Sequence, residues 1–521
     1  VFDLDLVERP FTEPLSRLMV MRADDGSLWI ARSEYETRLS QTTVLTGLRL
    51  FAGSRELPVL RARPDRITFE GDVHLLFAAP DTLVLVGSGA HARWSDGEGA
   101  VDGHLVLTGE LGDVSPEALL EAARQRAQAW FDLLPTVRED LRERAEMAWW
   151  TLGINQLSIQ DRTGVVPSRY GYVAVWNWDS YFHAIALRHT APALAREQIR
   201  ILLDNQLPSG QIPDVVHDHG VLAETTDLPK SDHVRLAQHV GTATGTRPDP
   251  RPVPVTKPPL TAWAVWKVHT ADPDLEFLRE VYPKLVVSQR WWLRESDPNG
   301  DGLAEYLHPY SSGLDDSPIW DYGPRAEPPD LNSYLAHQCD VLGDIADVLG
   351  LNGSPWRDEA ARHTALMVAT RWDGERFGTL ADGVTVPVRT PLELMPLFTG
   401  RLPAQIARQL AGDLLSNSFW GERPVPTVAF DDPAFDPESM WRGPVWLNIN
   451  YLLIDGLRRS GFVQEAAELR NRTLAMVRDG GGLYEYWNPL TGQRAGRATS
   501  GFSWSAALFL DLAFEDAITK I

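Results

Sequence analysis

Two periodicities divide the chain. From Val1 to about Asp113, apolar and polar positions alternate over short runs (27–31, 67–69, 73–77, 82–86), separated by Gly, Pro, Asp and Asn. Successive side chains of a strand point to opposite faces, so this pattern predicts antiparallel strands, and their number and turn spacing predict a β-sandwich over 1–113. At Ser115-Pro116-Glu117 the pattern changes: a cap, a first-turn proline and an early acid open a helix reaching about Leu134, read as a helical linker over 114–135. Beyond Pro135 apolar residues recur every three or four positions over 138–157, 192–206, 259–269, 275–295, 331–349, 358–371, 404–415, 445–459, 463–478 and 504–515. Weaker helical patterns follow Trp178 and cover 392–398. No fixed-period repeat is present, which argues against a solenoid. Close to twelve helices with long loops after alternate ones predict an (α/α)6 barrel over 136–521, with an irregular helical domain as the alternative. The proline-rich stretch 245–259 lies between two helices of this domain and reads as an ordered active-site loop rather than a linker.

Composition narrows the partners. Of 521 residues, 44% are hydrophobic and 23% charged, as in a soluble globular protein, and the net charge of −22 disfavours nucleic acid or an anionic membrane as partner. The single cysteine, Cys339, excludes an internal disulfide and a zinc site built on several cysteines. The chain holds no apolar run of about 18 residues. Val1-Phe2-Asp3-Leu4-Asp5 lacks the regions of a signal peptide, so a cytoplasmic location is expected. The 19 tryptophans are the outlier, many of them beside Gly, Pro or Asp. An indole offers a flat apolar face and a hydrogen-bonding edge, which suits a small ligand with the same duality.

Candidate chemistry gathers in the helical part. Ser311-Ser312-Gly313-Leu314-Asp315-Asp316-Ser317-Pro318 places two adjacent carboxylates on a loop shaped by a glycine and closed by a proline, with Tyr310, Trp320 and Tyr322 nearby. Like charge and desolvation both raise an Asp pKa, which makes the pair a candidate general acid; a turn capping the next helix is the competing reading. Three glycines, Gly480 to Gly482, deliver Glu485 among Tyr484, Tyr486 and Trp487. Two carboxylates on loops of a helical barrel meet the requirement of glycoside hydrolysis, and an inverting pair is expected about 6.5–9.5 Å apart. Asp297-Pro298-Asn299-Gly300-Asp301-Gly302 opens like an EF-hand loop, but His308 stands where the twelfth-position acid belongs, so a helix-ending turn is expected and no metal is assigned, with a calcium site on the oxygen donors Asp297, Asn299, Asp301 and Glu305 as the alternative. No P-loop or dinucleotide fingerprint is present, and no cofactor is expected.

Seven motifs in order, 176–181, 210–214, Lys257-Pro258-Pro259, 312–318, 441–446, 485–489 and 501–504, resemble glycoside hydrolase family 63. That family includes processing α-glucosidase, bacterial α-glucosidases and mannosylglycerate or glucosylglycerate hydrolases, and related trehalases share several of the motifs. The resemblance spans about 156–514 and implies an inverting, exo-acting enzyme on an (α/α)6 barrel, with Asp315 as general acid and Glu485 as general base. It implies that Trp178, Asp179 and Asp214 line the sugar subsite. Further ligand contacts are implied at Tyr172, Trp176, Gln211, Lys257, Gly313, Trp441, Arg442, Trp446, Phe502 and Trp504. Related trehalases carry Asn where Asp214 stands, and many relatives carry Gln where Lys257 stands; the extra cation favours an acidic aglycone such as glycerate. The main reading is an α-glucosidase acting on a small glucoside, and the alternative is a mannosylglycerate or glucosylglycerate hydrolase. A non-catalytic sugar-binding protein, which needs neither acid nor base, is the reading from another class. Asp316 is expected to support Asp315 from a backbone cap or an arginine, and residues 1–113 are expected to supply no catalytic group but to border the pocket mouth.

Overall fold

The computed structural model describes residues 2–247 and 251–518. Val1, residues 248–250 of the proline-rich stretch and residues 519–521 of the expected barrel lie outside the described residues.

Among the described residues nine strands form the N-terminal part: β1 (Leu18–Arg22), β2 (Leu28–Arg32), β3 (Thr43–Ala52), β4 (Arg55–Leu57), β5 (Val59–Arg63), β6 (Arg66–Phe69), β7 (Val73–Ala79), β8 (Thr82–Trp94) and β9 (Gly97–Val106). The hydrogen-bonded ladder is antiparallel and continuous in the order β1-β2-β3-β8-β7-β6-β5, with β4 on β3 and β9 on β8. The turn spacing predicted antiparallel strands, and the strands are antiparallel; β8 is shared along its length between them. It is long enough to pair β7 through His74↔Val86 and β3 through Arg49↔Arg93, and its pairing with β9 shifts register between Gly87 and Ala90.

The runs 73–77 and 82–86 are apolar at nearly every position because the sheet is covered on both faces. Leu75, Phe77, Leu83 and Leu85 join the main core, whereas Leu76, Val84 and Val86 pack on Leu119 and Ala123 of α1 (Pro116–Phe131). The helix over 114–135 is therefore a covering layer of the sheet as well as a connection. Ser115 caps it by accepting the Ala118 N–H at 3.3 Å.

The helical part comprises α2 (Arg142–Ile154), α3 (Asn177–Leu187), α4 (Pro192–Asp204), α5 (Lys230–Leu236), α6 (Thr261–Ala271), α7 (Leu275–Glu295), α8 (Pro309–Ser312), α9 (Pro329–Val348), α10 (Ser354–Arg371), α11 (Ala404–Leu414), α12 (Leu447–Arg459), α13 (Val463–Asp479) and α14 (Ser503–Ile518), with a 3-10 segment at Pro391–Thr399. Among the described residues α3, α6, α9, the 3-10 segment, α12 and α14 pack each on the next, and α14 returns to α3. The remaining long helices, α2, α4, α7, α10, α11 and α13, back them from outside. The inner members are buried nearly all round, which is why the period was weak after Trp178 and over 392–398: every residue of α3 and of Pro391–Thr399 is buried. Among the described residues no helix is long and apolar enough to cross a membrane.

The sheet and the helices share one core. Phe2 meets Trp150 edge-on at 5.6 Å, and the Trp130 and Trp149 rings stack at 4.8 Å while each indole N–H donates to the other residue's carbonyl. Arg169, fully buried, donates to the carbonyls of Ser16 and Ile154. Each large side chain lost from this seam forfeits roughly 1.5–3 kcal/mol of burial. Deleting residues 1–113 should therefore yield aggregated protein in size-exclusion chromatography; a monodisperse helical monomer with a cooperative melt would show that the two cores are separable.

Candidate active site

The Asp315-Asp316 loop is built by its neighbours in sequence. α8 is a single turn that ends at Gly313, whose φ of 73° is in the left-handed region open to glycine. Ser312 Oγ accepts the Leu314 N–H at 3.0 Å, and the Trp320 indole donates to the Leu314 carbonyl at 2.8 Å, so the turn is tied at both ends. A Cβ on Gly313 would lie 2.1 Å from Cζ2 of Trp178. The glycine is thus required twice, once by its backbone angle and once by the indole lying against it.

Glu485 arrives on a loop held by isolated bridges, Tyr484 to Ser500 and Trp487 to Val445. Its carboxylate accepts the Thr499 N–H at 3.1 Å and the Tyr172 hydroxyl at 3.3 Å. Both bonds favour the ionised form, yet burial dominates and raises its pKa to about 7.

Asp315 and Glu485 border one cavity, together with Tyr172, Trp176, Trp178, Asp179, Lys257, Gly313, Trp441, Trp446, Phe502 and Trp504. Ten of the thirteen residues expected to contact ligand are therefore on its wall, and Pro167 and Met440 join them. The aromatic lining is interlocked: Trp441 and Trp446 stack at 3.5 Å, while Trp178 and Phe502 meet Trp504 edge-on at 5.4 and 5.1 Å. The indole N–H groups of Trp441 and Trp504 are buried without a hydrogen-bond partner among the described residues.

Burial is also the largest influence on the carboxyl groups around the cavity. It raises Asp315, against the pull of Lys257 and Arg235, and lifts Asp179 well above the usual carboxylate range. Asp214 rises to about 6 for the same reason, partly offset by Lys257. Lys257 stands 2.8 Å from Asp214 and donates to the Tyr310 carbonyl at 2.6 Å. Desolvation disfavours its ammonium, but Asp214, Asp315 and Asp179 outweigh this and hold it charged.

Three expected contacts lie elsewhere. Gln211 donates to the carbonyls of Ala223 (2.6 Å) and Val255 (3.0 Å), fixing the backbone behind the site rather than lining the cavity. Asp214 stands behind Lys257. Arg442 pairs bidentately with Asp321, at 2.6 and 3.0 Å, with no indole stacked on it among the described residues. Asp316 accepts the Trp441 N–H at 2.9 Å, in line with a supporting role. The described end of the proline-rich stretch is ordered at the site, since Thr256 donates to the Ile212 carbonyl at 2.6 Å and precedes Lys257. The Asp297 loop is a turn whose carboxylate accepts the N–H groups of Gly300, Asp301 and Gly302.

A second cavity of about 430 Å³ opens on the other side of Asp315. Arg235, His239, Tyr310 and Arg442 line it together with Asp316 and Asp321. Arg235 and His239, on and just after α5, were not singled out from sequence. The helix is short and its basic residues resemble any solvated face; only the approach of this segment to Asp315 reveals them. Arg235 lies over the Tyr310 ring at 5.4 Å and donates to its hydroxyl.

The Gly313 geometry predicts that Gly313→Ala leaves the fold intact but lowers kcat/KM about a hundredfold or more, since displacing Trp178 reshapes the cavity shared by Asp315 and Glu485. Circular dichroism and steady-state kinetics check this, and near-normal turnover would show that the loop absorbs the methyl group.

Residues 172–505 match the mannosylglycerate hydrolase MGH1-like glycoside hydrolase domain. A mannosylglycerate hydrolase of Thermus thermophilus is 29% identical over 413 residues, which cover 66% of this chain and 95% of that protein. A glucosylglycerate hydrolase of Mycolicibacterium hassiacum is 26% identical over 65% of this chain and 92% of its own length. The solved structure of a GH63 mannosylglycerate hydrolase from Thermus thermophilus, in complex with Tris and D-glycerate, superimposes with a TM-score of 0.58 at 27% identity, over 70% of this chain and 98% of that one. With the two carboxylates, the aromatic wall and the motif order all inside the matched span, the chain belongs to the MGH1-like glycoside hydrolases of family 63.

Proposed function

We propose that this glycoside hydrolase inverts the anomeric centre of small α-glycosides whose aglycone carries a carboxylate, as in mannosylglycerate or glucosylglycerate. The observation that carries the reading is that Asp315 is shared by two cavities of opposite character. The aromatic cavity, which also holds Glu485, suits one sugar ring. The other is polar: Arg442 is held there by Asp321, and Arg235, beside His239, is the cation that would take a small anion. The glycosidic oxygen then lies at Asp315, between them. The relatives named for glycosylglycerates support this substrate over the neutral glucoside that the sequence alone put first. The same reading takes the ring of six inner helical segments, each backed by an outer helix, as an (α/α)6 barrel from about residue 136, joined through 114–135 to the sheet domain.

In this mechanism Asp315 gives its proton to the glycosidic oxygen as the bond from the anomeric carbon breaks. Glu485 takes a proton from the water that attacks the opposite face. Asp315 ends ionised and Glu485 protonated, and exchange with solvent restores both. A substrate carboxylate beside Arg235 would offset the cation that pulls the Asp315 pKa down, and so favour the protonated acid when substrate is bound.

Several outcomes follow. Glu485→Gln should lower kcat by about a thousandfold or more while glucose or mannose still binds; Asp315→Asn should be far less damaging on a glycosyl fluoride, which needs no protonation of its leaving group. Because the base must be ionised, kcat/KM should fall as pH drops through about 7. Arg235→Ala should raise KM at least about tenfold for glycosylglycerates and leave neutral α-disaccharides unchanged. NMR of the first sugar released should show the β-anomer from an α-glycoside. An α-sugar would sink the inverting mechanism, and equal cleavage of neutral and acidic glycosides would sink the proposed substrate.

A further inference from the structure

The family match begins at residue 172, so the N-terminal sheet lies outside it. Yet the 33–38 turn, which follows β2, reaches the active-site wall. Tyr35 stacks on His217, with ring centroids 4.6 Å apart and planes 8° apart, and meets the Trp176 ring at 6.2 Å and 60°. One guanidinium nitrogen of Arg17, just before β1, reaches both carboxylate oxygens of Asp218 at 2.7 and 2.8 Å and also the Ser158 carbonyl at 3.2 Å. His217 and Asp218 belong to one hairpin, Val215–His217 with Gly220–Leu222, whose other edge pairs with Val175–Trp176. The sheet domain therefore grips this hairpin from outside, while the inner edge carries Trp176 and follows Asp214.

From Trp176 the contacts continue inward. Trp176 stands edge-on to Tyr172 at 5.5 Å and 80°, and the Tyr172 hydroxyl donates to Glu485 at 3.3 Å. That bond is already long, so a small shift of either ring would weaken it steeply. We propose that Tyr35 is a positioning residue of the active site: its ring holds Trp176 in place and, through Trp176, the Tyr172 hydroxyl on Glu485. The sheet domain thereby takes part in catalysis without touching substrate.

Two features separate this role from plain joining of two cores. The Tyr35 side chain is only half-buried, and among the described residues its hydroxyl has no hydrogen-bond partner, so its contribution rests on the ring. Glu36, next in the turn, holds a left-handed backbone with φ of 52°, a conformation that persists in non-glycine residues where surrounding contacts impose it. The charged groups facing Tyr35 are Glu36, Asp214, Asp227 and Asp232. Those facing Glu485 are Asp315 and Asp179, beside its partners Tyr172 and Thr499.

The inference rests on Glu485 being the base, and the test separates the two. Tyr35→Ala should lower kcat/KM on the best α-glycoside about tenfold or more, mainly in kcat. Its acidic limb should move to higher pH, because Glu485 loses a donor that favours its ionised form. Tyr35→Phe, which keeps the ring, should restore both. Tyr172→Phe should move the limb the same way, and adding Tyr35→Ala to it should change little more. A wild-type rate and limb in Tyr35→Ala, or equal impairment in Ala and Phe, would overturn the proposal. If the Ala variant fails to fold, Tyr35→Leu takes its place. Should wild-type protein cleave no glycoside, the hydrolytic reading fails on its own, and calorimetric binding of glucose and mannose decides: weaker in Ala than in Phe supports the role of Tyr35, and equal affinities reject it.

Discussion

The constraint on which the structure turns is the cost of keeping carboxyl groups out of water. Asp179, Asp214 and Glu485 are buried and Asp315 half-buried around one small region, with the Lys257 ammonium among them and the Arg235 guanidinium beside Asp315. These two cations do not offset the desolvation of four carboxylates, so each of the four is raised. Catalysis by acid and base requires such a field, since a proton must be held ready at one oxygen and be welcome at another near neutral pH.

Everything around that region serves to keep it dry and fixed. The stacked Trp441 and Trp446 rings and the edge-on set about Trp504 close the cavity wall with apolar surface. Side chains and backbone donors lock the loops: the Trp441 amide goes to Asp316 and ties its loop to the one before α12, the Thr499 amide closes the Glu485 loop on itself, and the Tyr172 hydroxyl ties that loop to the segment before α3. Loops delivered by separate helices are thereby held to each other, and the closed packing of α3, α6, α9, α12 and α14 with Pro391–Thr399 supplies the rigid frame beneath them.

The two sides of Asp315 differ in kind. Toward Glu485 the wall is rigid and aromatic; toward α5 it is polar, charged and contributed by a short segment tied to the Trp320 and Asp321 carbonyls through the Gly241 and Ala243 amides, each at 2.8 Å.

By itself the sequence determined the division into a strand region and a helical region, the two candidate carboxylates and most of the aromatic wall, because these depend on local patterns: side-chain period, glycine and proline placement, and motifs short enough to read along the chain. Gly313 is the clearest case, its neighbours dictating a left-handed turn. The weak helices were visible only in outline, since α3 and Pro391–Thr399 are buried on every side and carry no amphipathic stripe. Only the tertiary structure decided that Gln211 braces backbone instead of facing ligand, that Arg442 is held by Asp321, that Arg235 and His239 stand beside Asp315, and that Tyr35 leans on Trp176. Each of these facts is a meeting of residues far apart in sequence, and a one-dimensional pattern records what a segment prefers, not which distant segment closes over it.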